Sequence, residues 1–291
     1  MITQTYSLQN QEWSCTICPG FGSNIISLRH NGFPILREPE TLSVLQQFPV
    51  LFGLPLLLPP NRTSGGKFVF EGQEYSLPIN EPVYDNHIHG ILHSAAFEVL
   101  SHSETELRTR LINQGEYFPF PFQLTIVDQL LPTGLLRSLD IVNTGISAMP
   151  LVLGFHTTFT QPNSFSVSIG DRWVVNDRYI PTGEKAALTA EQFTYREGCI
   201  LTGQRVNGFY EATAPIARIG DYLFSVDGFD QWILFNSDGK QHFLCVEPQL
   251  GPVNALNSGD YYRLKKGESY KFTLCICKAI TIIGPCITIS Y

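Results

Sequence analysis

Four segments of this chain carry side chains whose types and spacing could do chemistry. In the run from Pro150 to Phe159, read as one strand, Leu151, Leu153, Phe155 and Phe159 share a face interrupted only by Thr157. Val152, Gly154, His156 and Thr158 make the other face, small and polar, where an imidazole could meet a ligand as an acid or base. A structural histidine satisfied inside the core is the alternative. In the run from Trp232 to Gln249, an Asp238-Gly239 turn between apolar strands signals a hairpin. Its return strand ends at Glu247, just before Pro248, which is expected to stop the ladder. A carboxylate there would be partly desolvated and so a stronger base, unless it simply reaches solvent. His87 and His89, with His93 behind them, have an H-x-H spacing that would project two rings from one strand face as metal ligands, but no third ligand stands at a recognisable spacing. Arg62 follows Asn61 and an apolar run and precedes Gly65-Gly66, so its fork of donors could hold hydroxyls or merely cap a turn.

The elements that must position these groups read as strands. The chain has 24 glycines and 19 prolines, and they punctuate short runs rich in Val, Ile, Thr, Phe and Tyr. Strands are expected over Lys67–Phe70, Leu107–Ile112, Gln123–Leu131, Leu136–Asn143, Gln231–Phe235, His242–Val246 and Tyr270–Cys277. Helical spacing is confined to Glu38–Phe48 and a turn near Thr189–Tyr195. With 43% hydrophobic and 15% charged residues, a sizeable buried core is expected rather than disorder. No repeat or linker divides the chain, so residues 1–291 are expected to be one all-β domain of two large, mainly antiparallel sheets packed as a sandwich.

Charge and cysteine usage narrow the function further. A net charge of −7 without a basic stripe argues against nucleic-acid binding. The apolar stretch Phe48–Pro60 is broken by prolines and too short for a membrane span. Met1–Trp13 lacks the pattern of a signal peptide, and seven cysteines, an odd number, fit reduced thiols, so a cytoplasmic location is expected. Cys15 with Cys18, and Cys275 with Cys277, read as buried small hydrophobes rather than zinc or redox sites.

Taken in order, the four segments resemble the aldose 1-epimerase (galactose mutarotase-like) family. The likeness runs through Asn61-Arg62, Gly65-Gly66-Lys67-Phe68, Gly72-Gln73-Glu74-Tyr75-Ser76-Leu77 and Asn80. It continues through His89-Gly90, Met149-Pro150, Gly154-Phe155-His156-Thr157-Thr158-Phe159 and Ile180-Pro181-Thr182-Gly183-Glu184. It ends with Val246-Glu247-Pro248-Gln249 and Asn254-Ala255-Leu256. Each motif is short; their order from about residue 20 to 275 makes the combination specific.

The resemblance implies a supersandwich with a sugar in an open groove on one sheet. It also implies Glu247 as the base on the anomeric hydroxyl, His156 as the acid on the ring oxygen, and Asn61, Arg62 and His89 as sugar-binding residues. No cofactor or metal is implied, and the partner is a small sugar; oligomeric state is not legible. Two departures stand out. After His89-Gly90 the family's glycine-rich continuation is replaced by Ile91-Leu92-His93-Ser94-Ala95-Ala96-Phe97, and the family's sugar-binding aspartate is best matched by Asn207. With a shortened segment before Glu247, these mark a divergent, bacterial-type member. Rival expectations are a hexose-6-phosphate mutarotase, with Arg37, Arg172 or Arg178 as phosphate ligands, a catalytically silent sugar-binding protein, and an H-x-H metal enzyme.

Overall fold

The computed structural model describes residues 4–201 and 203–279. Strands dominate and pair antiparallel, as the alternation and turn chemistry require. Lys67–Phe70 forms as expected, and the others lie within a few residues of expectation: Glu106–Asn113, Phe122–Leu131, Gly134–Asn143, Gln231–Phe235, Phe243–Gln249 and Ser269–Lys278. The two helical segments are real but short. Thr41 caps Leu42–Gln47, and Thr189 caps Ala190–Glu197 through a capping box with Gln192. No helix among the described residues is long and apolar enough to cross a membrane.

The two expected sheets are wings of one hydrogen-bonded sheet of 15 strands. Strand Asn207–Ile219 joins them. Its first half, Asn207 to Glu211, pairs with Phe235 to Gln231 and leads through Phe243–Gln249 and Gly154–Phe155 to Leu56–Leu57. Its second half, Ile216 to Ile219, pairs with Ser225 to Tyr222 and leads through Ser269–Lys278, Gly134–Asn143 and Phe122–Leu131 to Glu106–Asn113 and Glu98–His102. A long strand can serve two sheets because its two halves offer hydrogen bonds independently. The wings meet through aromatic side chains: Phe224 of the second lies 5.4 Å from Phe159 and 5.9 Å from Trp232 of the first, ring centre to ring centre. A separate four-stranded sheet, residues 6–34, seats against the second wing, where Ser23 Oγ and Thr109 Oγ1 are 3.0 Å apart.

Alternation in the first wing decides what faces where. Trp232, Leu234, Leu244 and Val246 enter the main core. Asn207, Phe209, Ile233, Phe235 and Glu247 face the opposite way and line one pocket.

Candidate active site

The pocket encloses about 280 Å³, near the lower limit of ligand sites and sized for one small molecule. His156 and Glu247 stand side by side in it. The flanking pairs Gly154↔Gln249 and Thr158↔Cys245 put His156 directly opposite Glu247, so both side chains leave the sheet on one face. His156 Nε2 lies 3.6 Å from Glu247 Oε1, too long for a hydrogen bond and close enough for both to reach one small molecule.

Three expectations are corrected here. The run 150–159 is not one strand with an open face. It divides into Met149–Leu151, Gly154–Phe155 and Thr158–Thr160 and lies between Phe243–Gln249 and residues 53–57, so both faces are buried. The His156 N–H donates to Pro55 O across that second neighbour. Nor does the ladder stop before Pro248: the strand runs to Gln249, and Glu247 sits inside it, 3% exposed, rather than at an end. The turn before it spans residues 236–242, longer than a two-residue Asp-Gly hairpin.

Burial acts on the two groups in opposite senses. Loss of hydration pushes the Glu247 carboxyl well above its usual range, with Arg62 opposing. The same loss, with His89 nearby, holds the His156 imidazole well below its usual range. Each group is therefore pushed towards its uncharged form, and two groups this close titrate as a coupled pair.

Of the sugar-binding candidates, Asn207 opens the strand Asn207–Ile219, while Asn61, Arg62 and His89 arrive on loops and are each held by a specific contact. Arg62 Nε and Nη2 donate to Glu81 at 2.8 and 2.7 Å, and its guanidinium lies 4.9 Å from the centre of the Tyr179 ring. Burial pushes the Glu81 carboxyl up, but the hydrogen bonds from Arg62 and Asn86 outweigh it and the net shift is downward. Asn254, from the last motif, clamps the same loop: its N–H donates to Arg62 O and its Oδ1 accepts from Ser64 N–H, both at 2.9 Å. Asn61 is buried against the pocket, its Oδ1 accepting the Arg62 N–H.

His89 sits at φ +65°, which turns it off the strand Asn86–His87. The H-x-H pair consequently does not form. His87 Nδ1 meets Pro78 O at 2.7 Å and its ring does not line the pocket, whereas His89 Nδ1 donates to Pro60 O at 3.0 Å. A carbonyl can only accept, so His89 keeps Nδ1–H and presents Nε2 as an acceptor. Its ring stands edge-on to His156, 5.2 Å between centres. Burial lowers the His89 pKa to about 4, so the ring is neutral around neutral pH. Two glycines permit this arrangement. A Cβ on Gly90 would lie 2.0 Å from Leu58 O, and one on Gly154 would lie 2.7 Å from Pro60 Cβ.

All six candidates thus line one pocket: Asn61, Arg62, His89, His156, Asn207 and Glu247. Sequence reasoning missed Tyr84, Tyr179, Arg205, Phe209, Ile233 and Phe235, which also line it. Ile233 and Phe235 were recoverable from hairpin alternation, since Ile233 pairs with Glu247 and Phe235 with Cys245. Tyr179 and Arg205 lie outside strands and gave no periodic signal. Arg37, Arg172 and Arg178 are not lining residues: Arg37 stacks on Phe52 and Phe243, and Arg178 is tied to Tyr84 O and Asp85. Cys15 and Cys18 are buried as expected, but Cys275 and Cys277 are only half-buried.

The fold is shared with solved structures. A galactose mutarotase-like protein from Clostridium acetobutylicum superposes with a TM-score of 0.86 at 23% identity, covering 93% of each chain. A galactose 1-epimerase from Lactobacillus acidophilus gives 0.77 at 14% identity, covering 95% of each. At such identities the likeness speaks for the fold. The Escherichia coli protein YihR, itself uncharacterized, is 25% identical over 92% of this chain and 91% of its own length. The family model described as aldose 1-epimerase matches residues 4–277, and the chain belongs to that family.

Proposed function

We propose that this protein is a mutarotase that interconverts the α and β anomers of a free hexose by opening and reclosing the ring. The observation that carries the reading is the His156–Glu247 pair, 3.6 Å apart and facing one small pocket. Glu247 takes the proton from the anomeric hydroxyl while His156 gives one to the ring oxygen. The C1–O5 bond breaks as the C1 carbonyl forms. Rotation about C1–C2 turns the other carbonyl face towards the ring hydroxyl. On closure His156 takes back a proton and Glu247 returns one, so the cycle ends where it began.

The opposed pKa shifts suit this exchange. A carboxylate that burial makes more basic and an imidazolium that burial makes more acidic are both poised to give up their charges. Asn61, Arg62, His89 and Asn207 hold the hydroxyls, with the apolar floor of Phe209, Ile233 and Phe235 under the ring. We further take residues 1–291 as one domain acting in the cytoplasm.

A second reading is favoured by one observation. Arg205 lines the pocket and has no ion pair or hydrogen bond among the described residues, whereas Arg62 is taken up by Glu81. A hexose carrying a phosphate would give Arg205 a partner. Polarimetry on freshly dissolved α-glucose, α-galactose and glucose 6-phosphate separates the readings. Faster decay for the free sugars supports the first, and a preference for the phosphate that Arg205→Gln abolishes supports the second. Sugar binding by calorimetry with no acceleration of any of them would contradict both and indicate a silent binding protein.

A further inference from the structure

We propose that His156, Cys245 and Glu247 form a three-donor site for a thiophilic divalent cation such as zinc, whose binding blocks the acid–base pair. One nitrogen, one sulfur and one oxygen, a ligand atom from each residue, lie within 4.8 Å of one another. A point equidistant from three atoms so spaced is within about 2.8 Å (4.8 Å/√3) of each. Shifts of about half an ångström bring that to the distances of roughly 2.0–2.3 Å at which zinc takes these donors.

The register builds the triad. Cys245 and Glu247 are two apart on one strand and share a face, and His156 stands opposite Glu247 on the neighbouring strand. Thr158 Oγ1 lies 3.5 Å from Cys245 Sγ and 3.5 Å from His156 Nδ1, the ring nitrogen other than the one that faces Glu247. All three donor residues are buried, and Arg62, whose charge bears on Glu247, is already paired with Glu81. A divalent ion there would displace the thiol proton and any proton held by the Glu247 carboxyl, both leaving to solvent, and would then meet a thiolate, a carboxylate and a neutral imidazole. The fourth tetrahedral position would open to the pocket, where water or a sugar hydroxyl can enter. Nothing in ring opening uses the Cys245 thiol, and thiolate is the donor that would favour zinc over magnesium or calcium.

The inhibitory part of the proposal rests on the mutarotase reading; the site itself does not. Cobalt(II) is the probe, added to the whole protein under reducing conditions. A thiolate-to-cobalt charge-transfer band that saturates at one ion per chain, and that zinc displaces, is expected. Cys245→Ser and Cys245→Ala, checked for native circular dichroism, should each weaken cobalt binding tenfold or more. Cys277→Ser, which alters the half-buried Cys275–Cys277 pair, should leave the band intact. No saturable band, or a band that survives in folded Cys245 variants, overturns the site. Where the protein accelerates mutarotation, zinc should slow the wild type at concentrations at least tenfold below those needed for Cys245→Ser. Equal sensitivity overturns the inhibition even if cobalt binds.

Discussion

Two cross-strand pairs in the long sheet show why burial alone does not mark a functional site. Asp128 and Arg137 stand opposite each other on Phe122–Leu131 and Gly134–Asn143, both side chains 0% exposed. His156 and Glu247 stand opposite each other at the far end of the path, almost as deeply buried. The first pair is saturated. Arg137 Nε and Nη2 donate to both Asp128 oxygens at 2.6 and 2.9 Å, and Nη2 also donates to Ser23 O at 2.6 Å, tying the four-stranded sheet to the wing. The second pair is 3.6 Å apart and faces a pocket. Groups whose bonds are all made inside the protein hold it together, and groups left short of partners beside a cavity are available to a substrate.

Exchanging the pairs' properties by mutation should break this comparison if it is wrong. The largest expected effect is on rate. His156→Gln should lower kcat of the proposed mutarotation by about 10²–10⁴-fold, the usual worth of a positioned proton donor, with little change in denaturation midpoint. Arg137→Met should do the reverse, leaving Asp128 buried without its partner. A loss of about 3–5 kcal/mol in urea unfolding is expected, with kcat per folded molecule unchanged. A stable Arg137→Met protein, or an inactive but folded one, would remove the distinction.

A third test concerns the loop side of the pocket. Glu81→Gln frees Arg62 from its bidentate clamp. KM should rise by about tenfold while kcat falls less, because hydroxyl binding is disturbed and the strand-borne pair is not. A fall confined to kcat would instead put Arg62 in the proton chemistry.

The smallest effect is in stability against pH. The Glu247 carboxyl is raised in the folded protein from an ordinary 4.5, so the unfolded chain ionises first as pH rises. Wild type therefore loses stability above pH 4.5 until the folded carboxyl ionises too, and Glu247→Gln has no such loss. The variant should match wild type at pH 4 and become progressively the more stable towards neutrality, as read from urea midpoints at successive pH values. Parallel stability profiles would mean that Glu247 is not desolvated.

Local order was legible wherever turn chemistry and alternation coincide. Pro132-Thr133-Gly134 between two apolar runs fixes the Phe122–Leu131 and Gly134–Asn143 hairpin within a few residues. The same hairpin placed Asp128 among inward-facing Leu124, Ile126 and Leu130, so an inward charge needing a partner was there to be read. Order along the chain also brought out six residues that line the pocket, because His156 and Glu247 belong to motifs with a recognisable sequence. What escaped depends on closure in space. Tyr179 and Arg205 reach the pocket from segments about 70 and 40 residues away from Glu247, through sheet register that no local pattern encodes. His89 was named by its motif but misplaced by alternation: its left-handed φ turns the ring away from the face that a strand would assign to it.

The central claim is that Glu247 exchanges protons with the anomeric centre rather than merely lining a sugar site. It is tested most directly by following the optical rotation of freshly dissolved α-anomer with wild-type protein and with Glu247→Gln, while calorimetry records sugar binding to both. The account predicts a first-order decay proportional to wild-type concentration, an acceleration reduced about 10³-fold in Glu247→Gln, and binding within a few-fold of wild type. A Glu247→Gln protein that binds the sugar and still accelerates its mutarotation at the wild-type rate would contradict it.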